Sequence, residues 1–396
     1  MHLGEDVIGQ SGLAPFFKVA NPAATGLTPP PLRRGEAVRT WVRSLSGFQK
    51  EALVVSARSG EMWRFVSDEG PYLNGYDSAP CPLAFLTTGM ISSYMNEITA
   101  LAARQGVALR RLRLIQNNHY TMTGSMRERT MVGGALPVEL EVQVDCDLPD
   151  AALNELLMNA VHASPLNGLM RGQLPSLFTL TKNGAQIPTG AAVALDGPVI
   201  PDPAGNPPEP LPGDLVLIEK AGLTPPKAVS KGTATAASSL VDNQDRRLNP
   251  AAICTLREDG VKHIEQHLYS PHGNIFHFLS EESVAAGGKG RAPDATAFIS
   301  AGIGFCFMTQ FGRMASMEKL DLPHYSIVQD THFSLGGASG GTGRAGEADP
   351  VETHVHLTTA ESDDMARDML EVSERTCFLH AFCRTDMKTR LKVTRV

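Results

Sequence analysis

Residues 295–318 read ATAFISAGIGFCFMTQFGRMASME, and residues 82–105 read PLAFLTTGMISSYMNEITALAARQ. The two stretches lie 213 positions apart and share Ala84/Ala297, Phe85/Phe298, Gly89/Gly302 and Met95/Met308. Each is apolar on nearly all sides, which predicts a helix buried on nearly all sides. Gly89, Ser92 and Ser93 in one, and Gly302 and Gly304 in the other, let neighbouring backbone approach closely. Outward from these helices the same offset holds without a gap for about 146 residues. Gly60 falls on Gly273, Phe65 on Phe278, Ser67 on Ser280, Gln116 on Gln329, His119 on His332 and Thr181 on Thr394. The chain therefore reads as one unit written twice, at 38–183 and 251–396.

Each copy follows one order. Short alternating segments come first (Ala52 to Val55, then Trp63 to Val66 with Phe276 to Leu279 as its partner), with Gly60 and Gly273 at the turns. After the buried helix come strands at Leu112 to Met122 and Val138 to Val144, each with a counterpart in the second copy. A helix from Asp147 to Ala163 follows, matched by Ser362 to Cys377; acidic residues in its first turn suit the helix dipole. A last strand closes each copy. The expected fold class is α+β: two tandem domains, each an antiparallel sheet wrapped around a central buried helix, packed as a pseudo-dimer. Residues 1–37 read as an N-terminal arm over the first domain. Residues 184–250 read as a Pro-rich linker in which Leu215 to Ile218 adds a short strand.

At 396 residues each copy is large enough for its own core without disulfides or a structural metal. The net charge of −7 and the lack of a strong Lys/Arg run speak against a nucleic-acid surface and an anionic membrane. The N-terminal residues show no apolar signal segment, and the apolar stretch Ala297 to Phe311 is interrupted by Ser300, Thr309 and Gln310. Six cysteines without framework spacing fit a reducing compartment, so the expected location is the cytoplasm.

The copies differ where thiol chemistry is possible. Ser93 falls on Cys306, and Ser164 falls on Cys377. One reading makes both cysteines small core hydrophobes. The other makes the second copy redox-competent while the first keeps only the shape, since both positions change from Cys to Ser together. Cys81, Cys146, Cys254 and Cys383 have no such correspondence and read as structural.

The order of elements, with one Cys in the buried helix and another after the second helix, resembles the OsmC/Ohr family of thiol-dependent peroxidases. Val161-His162-Ala163-Ser164-Pro165-Leu166-Asn167 is similar to the family's second cysteine motif with Ser in place of Cys, and Pro82 stands eleven residues before Ser93. The second copy keeps both cysteines but has Phe378 in place of the motif's proline. The resemblance implies reduction of an organic hydroperoxide or related electrophile at a single Cys306/Cys377 site near the interdomain interface. A sulfenic acid would form and condense to a disulfide, to be recycled by a thiol reductant. It implies a small hydrophobic hydroperoxide as substrate and no cofactor or metal. The family's arginine lies two residues before the turn glycine, which is Arg58 in the first copy and Pro271 in the second. Its glutamate position holds Leu83 and Thr296. Arg58 is therefore expected to serve Cys306 from across the interface.

The second copy also holds nine of the twelve histidines. His354 and His356 alternate on a strand and share a face, so with His332 or His277 they form a candidate metal set. Two alternatives follow: a metal- or thiol-assisted hydrolase on the same scaffold, or a non-enzymatic protein with a hydrophobic ligand pocket.

Overall fold

The computed structural model describes residues 4–226 and 238–396; residues 1–3 of the arm and 227–237 of the linker lie outside the described residues. The arm carries α1 (Val7–Gln10) and β1 (Phe17–Lys18). The first copy runs β2 (Glu36–Ser44), β3 (Lys50–Ser56), β4 (Met62–Ser67), α2 (Pro82–Arg104), β5 (Arg111–Ser125), β6 (Val132–Asp145), α3 (Asp150–Ala163) and β7 (Ser176–Lys182). The linker adds β8 (Ala185–Ile187) and β9 (Ile218–Leu223), the latter beginning where the expected Leu215 to Ile218 strand ends. The second copy runs β10 (Asn243–Leu256), β11 (Lys262–Ser270), β12 (Asn274–Ser280), α4 (Ala295–Glu318), β13 (His324–Phe333) and β14 (Val351–Thr358). It closes with α5 (Asp363–Thr376), α6 (Phe378–Arg384) and β15 (Thr389–Arg395).

The fold is α+β, and the two copies run through the same order of elements. Their strands, however, interleave. One sheet has the order β1-β4-β3-β2-β13-β14-β7-β8, and the other β15-β6-β5-β10-β11-β12-β9. Three strands of one copy thus pair edge to edge with two of the other, through β2–β13 and β5–β10. Neither copy closes a sheet alone, which corrects the expectation of one sheet per copy. Nor are the sheets purely antiparallel, because β14–β7 and β15–β6 pair in parallel. The physical reason is edge satisfaction: β2 and β5 would otherwise present unpaired N–H and C=O groups.

Helices α2 and α4 lie between the sheets, α4 against β2, β3 and β13, and α2 against β10 and β11. Their contact depends on the small residues. A Cβ on Gly89 would stand 2.8 Å from the Ala295 carbonyl oxygen, and one on Gly302 would stand 2.9 Å from the Leu86 nitrogen. By length and composition α4 resembles a membrane span, yet it is almost wholly buried inside the protein. Beside this crossing Phe65 and Phe85 of the first copy meet Phe278 and Phe298 of the second, with ring centroids 5.4–6.4 Å apart. Phe16 of the arm inserts among them, 4.9 Å from Phe65 and 5.7 Å from Phe278. The arm therefore packs on both copies and not only on the first. Arg33 and Arg34 extend this, pairing with Glu352, Glu347 and Asp349.

Candidate functional site

Cys306 sits in the middle of α4 and is 2% exposed; Cys377 is fully buried between α5 and α6. Cys377 caps α6, its sulfur accepting the His380 N–H at 3.5 Å. The two thiols are close enough for Cys377 to oppose ionisation of Cys306, while the Leu379 backbone N–H favours it. The first copy repeats this geometry with hydroxyls. Ser93 in α2 and Ser164 at the end of α3 are 2.7 Å apart, oxygen to oxygen. The sequence correspondence is thus a spatial one.

A cavity adjoins each pair. The thiol cavity, about 30 Å³, is lined by Glu69, Tyr72, Cys81, Pro82 and Leu83 of the first copy and by Pro271, Cys306, Thr309, Gln310, Arg313 and Phe378 of the second. Ser239 and Arg246, from the linker region, complete it. The hydroxyl cavity, about 170 Å³, includes Glu282, Asp294 and Thr296 of the second copy with Arg58, Ser93, Asn96, Glu97 and Pro165 of the first. These walls correspond at the same 213-residue offset. Each cavity is therefore built across the junction, with the helix of one copy facing the segment after β4 or β12 of the other.

Their electrostatics differ. Burial, and then the neighbouring Cys377, push the Cys306 thiol well above its ordinary range, so the resting group is a neutral thiol. Glu69 is buried beside it and accepts hydrogen bonds from Tyr72 (2.7 Å) and from Thr309 (2.8 Å), one helical turn beyond Cys306. Burial raises the Glu69 carboxyl, opposed by the fully buried Lys50; burial in turn lowers Lys50, opposed by Glu69, Asp68 and Cys306. Arg313, 1% exposed, and Arg246, half-buried, supply the cations on the lining. In the hydroxyl cavity, burial and then Asp294 raise Glu36 to about 7. Burial and then Glu282 raise Asp294 to about 6. Glu97 is held by the Ala338 and Ser339 N–H groups at 2.8 and 3.1 Å, which pins the Gly-rich loop between β13 and β14.

Arg58 does not join the thiols. It lines the hydroxyl cavity with Ser93, because the β3–β4 turn stays beside the α2 Ser93 face and the start of α4. The expected service of Cys306 by Arg58 is corrected accordingly; Pro271 holds the equivalent place at the thiol cavity. Cys81, read as merely structural, lines that cavity as the N-cap of α2, with burial holding it up at about 12. Sequence reasoning missed Glu69, Lys50, Arg246 and Arg313. For Arg313 a signal existed: Cys306, Thr309, Gln310 and Arg313 follow the i, i+3, i+4, i+7 spacing of one helical face.

The histidines do not gather into the expected set. His277 lies on β12 and packs against His263, 4.9 Å between rings, in the sheet that does not contain β13 and β14. His354 bonds Thr179 at 2.8 Å, and His356 bonds the Ile200 carbonyl at 3.0 Å. His332 instead lies with Asp330 and Glu352, ligand atoms within 4.8 Å of one another. Both carboxylates are already engaged, Asp330 by Arg39 and Glu352 by Arg33.

Residues 288–392 match the OsmC family model, described as OsmC-like protein. The chain therefore carries an OsmC-like domain there, and the matched span includes both Cys306 and Cys377. Among solved structures the chain is similar to the crystal structure of an OsmC-like hydroperoxide resistance protein from Jannaschia sp. CCS1. That likeness has 23% identity and a TM-score of 0.21, over 34% of this chain and 85% of that one. No curated protein matches the sequence.

Proposed function

We propose that the protein is a fused pair of OsmC-like units, arisen by tandem duplication, with one thiol-dependent peroxidase site at Cys306 and Cys377. The observation that carries this reading is the pairing of two thiols near enough to influence each other's ionisation, one of them lining a cavity and both inside the span that matches the OsmC family. The Cys306 thiolate attacks the O–O bond of a hydroperoxide; its sulfur takes the distal oxygen as a sulfenic acid, and the proximal oxygen leaves as the alcohol after protonation. Cys377 then displaces hydroxide from the sulfenic sulfur, giving a disulfide and water. An external dithiol returns both sulfurs to thiols. Thiolate formation needs a nearby cation, and in this reading Arg246 and Arg313, which line the cavity with Cys306, take that part instead of Arg58, against the opposing charge of Glu69. The six cysteines lack framework spacing, which fits a reducing, cytoplasmic setting.

The test is a thiol titration of native protein before and after one equivalent of cumene hydroperoxide. Two thiols should disappear, and Cys306→Ser should abolish the loss. An unchanged count in the native protein overturns the reading.

A further inference from the structure

We propose that Asp330, His332 and Glu352 form a binding site for one divalent transition-metal ion of the zinc class, which competes with Arg33 of the arm for Glu352. The site lies on the outer side of its sheet and is independent of the peroxidase reading above.

Alternation along β13 sends these side chains away from the thiols. Gln329 and Thr331 face inward, bonding Ser300 of α4 at 3.1 and 2.7 Å. Asp330 and His332 therefore share the opposite face. Glu352 on β14 stands directly across from Asp330 in the ladder. One ligand atom from each of the three lies within 4.8 Å of the others. His332 is 1% exposed, yet neither of its ring nitrogens has a hydrogen-bond partner among the described residues. A buried imidazole left in that state costs free energy, and the ion pairs around it do not relieve this.

The carboxylates keep capacity for a metal. Arg39 takes both oxygens of Asp330 at 2.8 Å, but a carboxylate offers about four lone-pair positions, so others stay open. Glu352 is held by Arg33, whose side chain is 45% exposed and is free to swing into water. Three guanidiniums (Arg33, Arg34 and Arg39) face four carboxylates in this network, so a divalent cation that takes the place of Arg33 balances the charge. Zinc binds imidazole nitrogen and carboxylate oxygen at about 2.0–2.2 Å in a tetrahedron, which sets its ligand atoms ~3.4 Å apart. Glu352, once released by Arg33, rotates to close that gap, and water takes the fourth position. A nitrogen ligand favours the zinc class over calcium or magnesium, which prefer oxygen alone. The first copy lacks one part of the set. It keeps His119 and Glu139, 3.5 Å apart and partly exposed, but has Asn117 in place of Asp330. Asn117 stands across from Glu139 as Asp330 stands across from Glu352. A neutral amide replaces a charged ligand there, so one ion per chain is expected.

The experiment titrates the full chain, stripped with a chelator, with zinc chloride by calorimetry and with cobalt(II) chloride by absorption. One ion should bind per chain, and the cobalt spectrum should show d–d bands without the charge-transfer band of a thiolate ligand. His332→Ala should weaken zinc binding by more than the about 10–100-fold that a supporting hydrogen bond carries. Arg33→Ala removes the competitor and should tighten zinc binding by about two- to fivefold, the worth of one partly exposed ion pair. Arg33 lies at the surface, so this variant decides the matter even if His332→Ala fails to fold. Absence of binding, a thiolate spectrum, or parental affinity in folded His332→Ala overturns the site. Unchanged or weakened affinity in Arg33→Ala overturns the competition with the arm.

Discussion

Where the cavity at Cys306 has Cys81, Leu83, Pro271 and Phe378, the cavity at Ser93 has Asp294, Thr296, Arg58 and Pro165. Where the first has Gln310 and Arg313, the second has Glu97 and, one turn further, Ala100. The frame is common: a buried helix, a second side chain arriving from the following helix, and a wall from the other copy. The charge is reversed. Around the thiol pair Arg246 and Arg313 outnumber Glu69, and around the hydroxyl pair Glu36, Glu97, Glu282 and Asp294 outnumber Arg58. A thiol needs positive surroundings to ionise, while neighbouring carboxylates hold it protonated. The comparison teaches that the two sites differ as whole environments and not only at the two Cys/Ser positions.

Restoring the sulfurs alone should therefore fail to restore the chemistry. Ser93→Cys with Ser164→Cys adds two thiols that titrate after unfolding, yet hydroperoxide should still consume only two thiols in native protein. Consumption of four would show that the surroundings are irrelevant and would break the comparison. The shared frame is tested next. Gly89→Val and Gly302→Val each push a side chain into the opposite helix, and each should cost about 1–3 kcal/mol in chemical denaturation. The two losses should be similar, because the two glycines face the α2–α4 crossing in the same way. A large loss at one and none at the other would show that the helix pair is not symmetric.

The smallest effect sharpens the charge difference. The folded state holds a proton on Glu36 up to about 7, against an ordinary 4.5. Its contribution to stability is thus fully present below 4.5 and is lost as pH rises through 7. Glu36→Gln should raise stability at pH 8 by roughly 1–3 kcal/mol and leave it nearly unchanged at pH 4. A gain of equal size at both pH values would point to packing and not to charge.

The offset between Ser93 and Cys306 made the frame readable from sequence, because helix burial and strand alternation are local patterns that both halves carry. Strand partnership was not readable. Nothing in β2 tells whether its free edge meets β13 of the other copy or a strand of its own, since both offer the same alternation. That ambiguity also misplaced Arg58, whose cavity depends on how the copies interlock. Arg246 escaped notice because it lies ahead of the aligned copies, in the linker, where no counterpart marks it as different. Arg313 stood on the legible helical face but opposite no equivalent arginine, so comparison of the copies passed over it.

The β2–β13 and β5–β10 pairings have a consequence for synthesis. β2 leaves the ribosome some 280 residues before β13. At ordinary elongation rates that interval is roughly 15–60 s, during which the open edges of the first half have no native partner. An exposed strand edge is a template for pairing with other chains. A nascent first half is thus the stage at which this protein is most prone to aggregate, and the most natural client for a chaperone.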